Sequence, residues 1–133
     1  MPFVIDASVT AAWLLPDESH PLAERCLDAL GDDLVLVPAI WWFETCNLLI
    51  MAERRKRITP EGVQEALKAI AQYPIRQESA IEETRAFRLA RAHNLSFYDA
   101  AYLELAHRLA LPLATLDRRL AAAAAAENLP DMR

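Results

Sequence analysis

Phe3-Val4-Ile5-Asp6-Ala7-Ser8-Val9 places three apolar residues, two of them β-branched, directly before an aspartate and the start of a helical pattern. A short run that is apolar throughout reads as a strand buried on both faces. The helical pattern runs over residues 9–15 and stops at Pro16. The same order recurs near the other end of the chain. Leu113-Ala114-Thr115-Leu116 is an apolar strand, Asp117 follows, and residues 120–126 form an alanine-rich stretch, alanine being the best helix former. Between these ends, Leu34-Val35-Leu36-Val37, closed by Pro38, predicts another buried strand, and Pro74-Ile75-Arg76 a weak one. Helices are expected over residues 21–30, ended by Gly31, and over 39–57. Thr59 and Pro60 suit a cap and a first turn, opening a helix to about Tyr73. Residues 80–93 read as an amphipathic helix with Ile81, Thr84, Phe87, Leu89 and Ala90 on or near one face, and residues 97–110 as a further helix. Strands without alternation, separated by helices, predict an α/β sandwich around a parallel sheet.

The 133 residues are one ordinary domain, long enough to bury a core, and 54% of them are hydrophobic. With only 2 glycines, neither a Walker A loop nor a G-x-G-x-x-G fingerprint is present, so phosphate would have to be handled another way. The net charge of −5 means that a nucleic-acid partner would be held by local basic patches or by cations that invert an acidic site. Cys26 and Cys46 form no C-x-x-C pair, and the three histidines, His20, His93 and His107, are scattered along the sequence. Asp6 interrupts the N-terminal apolar run, so no secretory signal is read and a cytoplasmic protein with reduced thiols is expected. Residues 34–52 have the length of a membrane span and precede Arg54-Arg55-Lys56-Arg57. Pro38, Glu44 and Asn47 lie inside that run, however, and argue against insertion.

Four acids stand out. Asp6 and Asp117 each follow an apolar strand, where open α/β sheets bind ligands; each would equally serve as the N-cap of the next helix. Glu44 has Ile40, Trp41, Asn47, Leu48 and Met51 on its own helical face and Trp42, Cys46 and Leu49 opposite. A carboxylate in such surroundings needs a cation, a hydrogen-bonding cluster or a cleft, or else one salt bridge to an arginine. Asp99 sits in Ser96-Phe97-Tyr98-Asp99, which fits a capping box and also puts a carboxylate at an element edge. Together they suggest an all-oxygen site for a hard cation such as Mg²⁺ or Mn²⁺. Ser8, Asn47 and Thr115 are placed to orient ligands or water, or to act as plain cap and turn residues.

V-I-D-A-S at the N-terminus, Glu44 followed by Asn47, F-Y-D-A-A-Y over residues 97–102, and A-T-L-D over 114–117 resemble the PIN-domain nucleases over nearly the whole chain. They look most like the VapC-type toxins of VapBC toxin–antitoxin pairs. The resemblance implies a Rossmann-like α/β/α sandwich of four or five parallel strands, a single domain over 1–133, and an endoribonuclease dependent on Mg²⁺ or Mn²⁺. It implies Asp6 and Asp99 as principal metal ligands, Glu44 and Asp117 completing the catalytic site, and products with 5′-phosphate and 3′-hydroxyl ends. The segment after Asp117 lacks the expected glycine and last apolar strand, so a fifth strand is expected to be short or absent.

RNA would be gripped by Arg54, Arg55, Lys56 and Arg57 and by Arg118 and Arg119, although the first cluster would also suit a helix C-terminus. Consecutive aromatics Trp41, Trp42 and Phe43 point to different helix faces, which predicts a homodimer. A VapB-like antitoxin is expected to place an arginine among the carboxylates and to pack apolar residues near Trp41 or Trp42. Two other readings are an inactive PIN scaffold used for binding and a phosphotransfer domain with Asp6 as nucleophile. In the latter the D-x-D motif reads D-A-S, and its second acid is missing.

Overall fold

A computed structural model describes residues 1–132. Four parallel strands, β1 (Phe3–Ile5), β2 (Val35–Pro38), β3 (Ile75–Glu78) and β4 (Leu113–Ala114), form one sheet in the order β3-β2-β1-β4. Seven helices flank it among the described residues: α1 (Ala7–Leu14), α2 (Pro21–Ala29), α3 (Ile40–Arg54), α4 (Pro60–Ala71), α5 (Glu83–His93), α6 (Phe97–Leu109) and α7 (Arg118–Ala126). The two central strands, β1 and β2, are buried along their whole lengths, as continuous apolar runs require. β3 lies at the sheet edge and is half-exposed, which explains its weak apolar signal. No strand follows α7 among the described residues, so the sheet has four strands.

The core is built on this sheet by α6, which packs on β1, β2 and β4 and buries every residue from Ala100 to Ala106. Each fully buried leucine there contributes roughly 1.5–3 kcal/mol. α1, α2 and α3 pack together, and Ala11, Leu15, Leu49, Ala52 and Ala66 form a second apolar cluster joining α1, α3 and α4. Trp41 donates to Thr10 Oγ1 at 2.8 Å, and Thr10 Oγ1 donates to the Asp6 carbonyl at 3.3 Å, tying α3 to the end of β1.

Several expectations are corrected. Gly31 is not a left-handed helix cap, since no glycine has positive φ; the chain leaves α2 through turn bonds from Leu30 to Leu27 and from Asp32 and Asp33 to Ala29. α3 ends at Arg54, and Lys56 takes a left-handed φ of 59° in the turn that follows. α5 begins only at Glu83, because Glu82 is extended and caps the helix, its carboxylate accepting from Arg85 N–H, and its buried face is Ala86 and Leu89. Ile81, Thr84 and Phe87 are exposed; Phe87 packs instead on Phe97, ring centroids 5.0 Å apart, beneath the Arg91 guanidinium. No described helix is long and apolar enough to cross a membrane, and Pro38 divides the apolar run at residues 34–52 into β2 and α3.

Register fixes where the acids lie. Ile5 pairs with Ala114 across β1 and β4, so Asp6 falls beside Thr115, and Asp117 is two residues further on. α3 starts two residues after β2, while α6 ends shortly before β4 begins and therefore runs antiparallel to the strands. The first turns of both helices thus stand at the carboxyl edge of the sheet, with Asp6 and Asp117.

Candidate metal centre

Asp6 is buried at the mouth of α1, and both of its oxygens are engaged. Oδ1 accepts from the backbone of Ser8 (3.1 Å) and Val9 (3.3 Å) and from Ser8 Oγ (2.5 Å), while Oδ2 accepts from Thr115 Oγ1 (2.5 Å). It therefore caps the helix with one oxygen and keeps one lone pair on the other. Burial raises its pKa, against the pull of Ser8, Thr115 and the two N–H groups. The two hydroxyls are themselves held, Ser8 Oγ by Leu116 N–H (2.9 Å) and Thr115 Oγ1 by Asp117 N–H (3.0 Å).

Glu44, in the second turn of α3, is half-buried rather than enclosed. The buried stripe of α3 is Trp41, Thr45, Leu49 and Ala52, whereas Trp42, Phe43, Asn47 and Ile50 face outward. Its partner is the hydroxyl of Tyr102, which donates to Oε1 at 2.5 Å; no ion pair to an arginine forms among the described residues. Burial raises the Glu44 pKa, Tyr102 lowers it, and the charges of Asp99 and Asp6 raise it further. Asp99 is half-buried in the first turn of α6. Ser96 Oγ accepts its backbone N–H at 3.1 Å, but the Asp99 carboxylate makes no return bond to the Ser96 backbone among the described residues, so only half of the capping box exists. Burial and the neighbouring Asp117 raise the Asp99 pKa, with Ser96 and Arg119 opposing. Asp117 caps α7 through Oδ1, which accepts from Leu120 N–H at 3.0 Å, and it is exposed.

The four acids thus form a chain of electrostatic neighbours. Asp6 and Asp99 act on Glu44, and Asp117 acts on Asp99. Among the described residues no three His, Cys, Asp or Glu side chains are gathered tightly enough to ligate one ion. Repulsion between uncompensated carboxylates accounts for that spacing, as does the turning of Asp6 onto its hydroxyl donors. The donor chemistry nevertheless fits a hard cation: every ligand atom is oxygen, and Glu44, Asp99 and Asp117 each retain an oxygen that accepts no bond among the described residues.

The remaining candidates separate. Ser8 and Thr115 touch Asp6; Asn47 is exposed and makes no side-chain hydrogen bond among the described residues. Arg119 lies near enough to Asp99 to lower its pKa, and Arg118 is exposed beside it. Arg54, Arg55 and Lys56 are exposed, and Arg55 lines a cleft of about 490 Å³ that reaches Ser8 and Leu116. Arg57 lines the same cleft and is paired with Asp17 (3.0 and 2.9 Å) and Glu18 (3.1 Å). Trp41 is 5% exposed and unavailable to a partner, whereas Trp42 and the 70% exposed Phe43 are available. Both cysteines are free thiols, and burial pushes that of Cys26 up to about 11.

Sequence reading missed three features. Tyr102 shares a face of α6 with Asp99, a signal available at i, i+3 spacing. Glu104, fully buried, accepts from Glu82 N–H at 2.6 Å and from Arg108 Nε at 3.1 Å, pinning the segment before α5. His93 and His107, scattered in sequence, both meet Glu127, at 2.7 and 3.4 Å.

A family model described as PIN domain matches residues 3–126. The chain is 33% identical to Ribonuclease VapC3 of Pyrobaculum aerophilum, over 91% of this chain and 93% of that relative. The crystal structure of PAE2754 from Pyrobaculum aerophilum matches with a TM-score of 0.70 at 23% identity, covering 92% of this chain and 87% of that one, a likeness of fold.

Proposed function

Because the chain belongs to the PIN-domain family, we propose that it is the toxin of a type II toxin–antitoxin pair, an endoribonuclease dependent on Mg²⁺ or Mn²⁺ that hydrolyses RNA phosphodiester bonds. The observation that carries this reading is the set of carboxylates at the sheet edge: Asp6, Glu44, Asp99 and Asp117 share that edge, Asp6 and Asp99 raise the pKa of Glu44, and Glu44, Asp99 and Asp117 each keep an oxygen free to accept a cation. In this reading Asp6, Glu44, Asp99 and Asp117 hold the ion. When bound, the cation would activate water for attack and offset charge on the phosphate oxygens.

The chain's own residues do the rest. Ser8 and Thr115 fix the Asp6 carboxylate by two short hydrogen bonds and pull its pKa down against the effect of burial. Glu44 and Asp99 are each raised in pKa by burial and by a neighbouring acid, a charge crowding that a bound divalent ion would relieve. Arg55 at the cleft beside Ser8, and Arg118 and Arg119 beside Asp117, supply local positive charge on a chain of net charge −5, and grip phosphate. Arg54 and Lys56 extend that patch.

The partners follow from the same chemistry. Exposed Trp42 and Phe43 support a homodimer or an antitoxin contact. A VapB-like antitoxin would silence the site with an arginine, whose fork pairs with carboxylates and cannot lose its charge. The test is cleavage of total RNA by purified, antitoxin-free protein. Activity should need Mg²⁺ or Mn²⁺ and vanish with EDTA; inertness at every concentration of either metal would refute the enzyme.

A further inference from the structure

Tyr102 is 1% exposed, its ring packed in the main core, and its hydroxyl is turned to the acids at the sheet edge. There it donates to Glu44 Oε1 at 2.5 Å, across 58 residues of sequence. α3 and α6 do not pack along each other's length, so this bond ties the helix of Glu44 to the helix of Asp99. Glu44 has three rotatable side-chain bonds, is half-buried, and feels the charges of Asp6 and Asp99. Repulsion from those two acids favours swinging it toward solvent. No other hydrogen bond restrains its carboxylate among the described residues. A buried tyrosine hydroxyl, for its part, needs a partner.

We infer that Tyr102 is a positioning residue: it holds the Glu44 carboxylate inward by one oxygen and leaves the other for the cation. The inference rests on the metal-site reading above and adds to it a specific support for one ligand. Tyr102 spans the cleft from a rigid core position, so it acts through Glu44 rather than on substrate. Groups of this kind orient a ligand, and their loss typically lowers metal affinity or activity 10–100-fold.

Tyr102→Phe removes the hydroxyl and keeps the ring. Calorimetric Mn²⁺ binding should weaken roughly 10-fold, with cleavage partly restored at saturating Mn²⁺. In a Glu44→Gln background the same change should alter Mn²⁺ affinity less than about 2-fold, because the shared path is already lost. Wild-type Mn²⁺ affinity in Tyr102→Phe, or an equal loss in both backgrounds, would overturn the inference. Glu44→Asp, which draws the carboxylate back from an intact Tyr102, provides a second approach if Tyr102→Phe fails to fold: its affinity should fall similarly, and an unchanged affinity refutes the role. NMR couplings about Glu44 χ1 and χ2 in metal-free protein read the positioning directly, whether or not RNA is cleaved. One rotamer is expected in wild type and averaging in Tyr102→Phe; a single rotamer in both overturns it. A wild type that binds no Mn²⁺ and cuts no RNA defeats the functional reading alone.

Discussion

Replacing Thr115 by valine deletes one hydroxyl from the most tightly bonded part of the cleft. Thr115 is 6% exposed and Asp6 5%, so water cannot readily substitute. The lost bond is charge-assisted, from Thr115 Oγ1 to Asp6 Oδ2 at 2.5 Å, and bonds to charged groups contribute about 1.5–3 kcal/mol. The Asp117 N–H, which donates to the same oxygen at 3.0 Å, is orphaned at a cost of about 1 kcal/mol, the low end of the usual range because Asp117 itself is exposed. Together these give a destabilisation of about 3 kcal/mol at neutral pH, or a fall in Tm of about 9–12 °C for a domain of this size. The loss should also depend on pH. Removing a donor to the carboxylate raises the already raised Asp6 pKa further, so the variant recovers part of its deficit at acid pH, where Asp6 is neutral. Urea denaturation in EDTA at pH 7 and pH 5 measures both quantities. A destabilisation below about 0.5 kcal/mol, or one equal at the two pH values, would refute the view that Thr115 sustains a buried charge.

Asp99→Asn should abolish cleavage yet raise the Tm of the metal-free protein, because the acid is raised in pKa by burial and by Asp117; lower stability with retained cleavage would refute both parts. Asp6, Glu44 and Asp99 are all shifted upward, so the folded state holds more protons than the unfolded one above the ordinary carboxylate range. Stability in EDTA should therefore fall as pH rises from there through the raised values, and Mg²⁺ should cancel the fall. Asp17 and Glu127, shifted downward, lose their contribution only as pH falls below that range. Arg55→Ala should raise KM for RNA and reduce its salt dependence, whereas Arg57→Ala, whose guanidinium already serves Asp17 and Glu18, should raise it less; an unchanged KM in Arg55→Ala would count against the cleft as the RNA path. Phe43→Ser should shift sedimentation at micromolar concentration from dimer to monomer, and a wild type that is already monomeric would end the dimer proposal.

The architecture was legible where local and global signals agree. Phe3-Val4-Ile5 and Leu34 to Val37 are apolar because they are central strands, and Thr59 with Pro60 opens α4 as its chemistry dictates, Gly62 N–H donating to Thr59 Oγ1 at 2.9 Å. The pairing of Asp6 with Asp117 came from a repeated strand–acid–helix order that the β1–β4 register places at one edge. What remained hidden depends on tertiary contact. The amphipathic reading of α5 put Ile81, Thr84 and Phe87 on or near one face with Leu89 and Ala90, but the buried residues are Ala86 and Leu89, because the face is set by how α5 packs on α6. Glu104 and Arg108 have the spacing of an ordinary surface pair, yet the carboxylate is fully buried because it must satisfy the Glu82 N–H. Nothing local marks Tyr102 as the partner of Glu44, and the helical neighbours of Glu44 alone gave it too dry a setting.

Hydrolysis by water activated at a carboxylate-held cation leaves its signature in the chemistry of the cut ends. A 5′-labelled RNA cleaved by the purified protein in Mg²⁺, alongside the same RNA carrying a 2′-deoxy sugar at the cleaved linkage, would show whether the substrate's own hydroxyl takes part. Both should be cut to 3′-hydroxyl and 5′-phosphate ends, and EDTA or Asp6→Asn should stop both reactions. A 2′,3′-cyclic phosphate product, or resistance of the deoxy linkage to otherwise vigorous cleavage, would contradict hydrolysis by activated water.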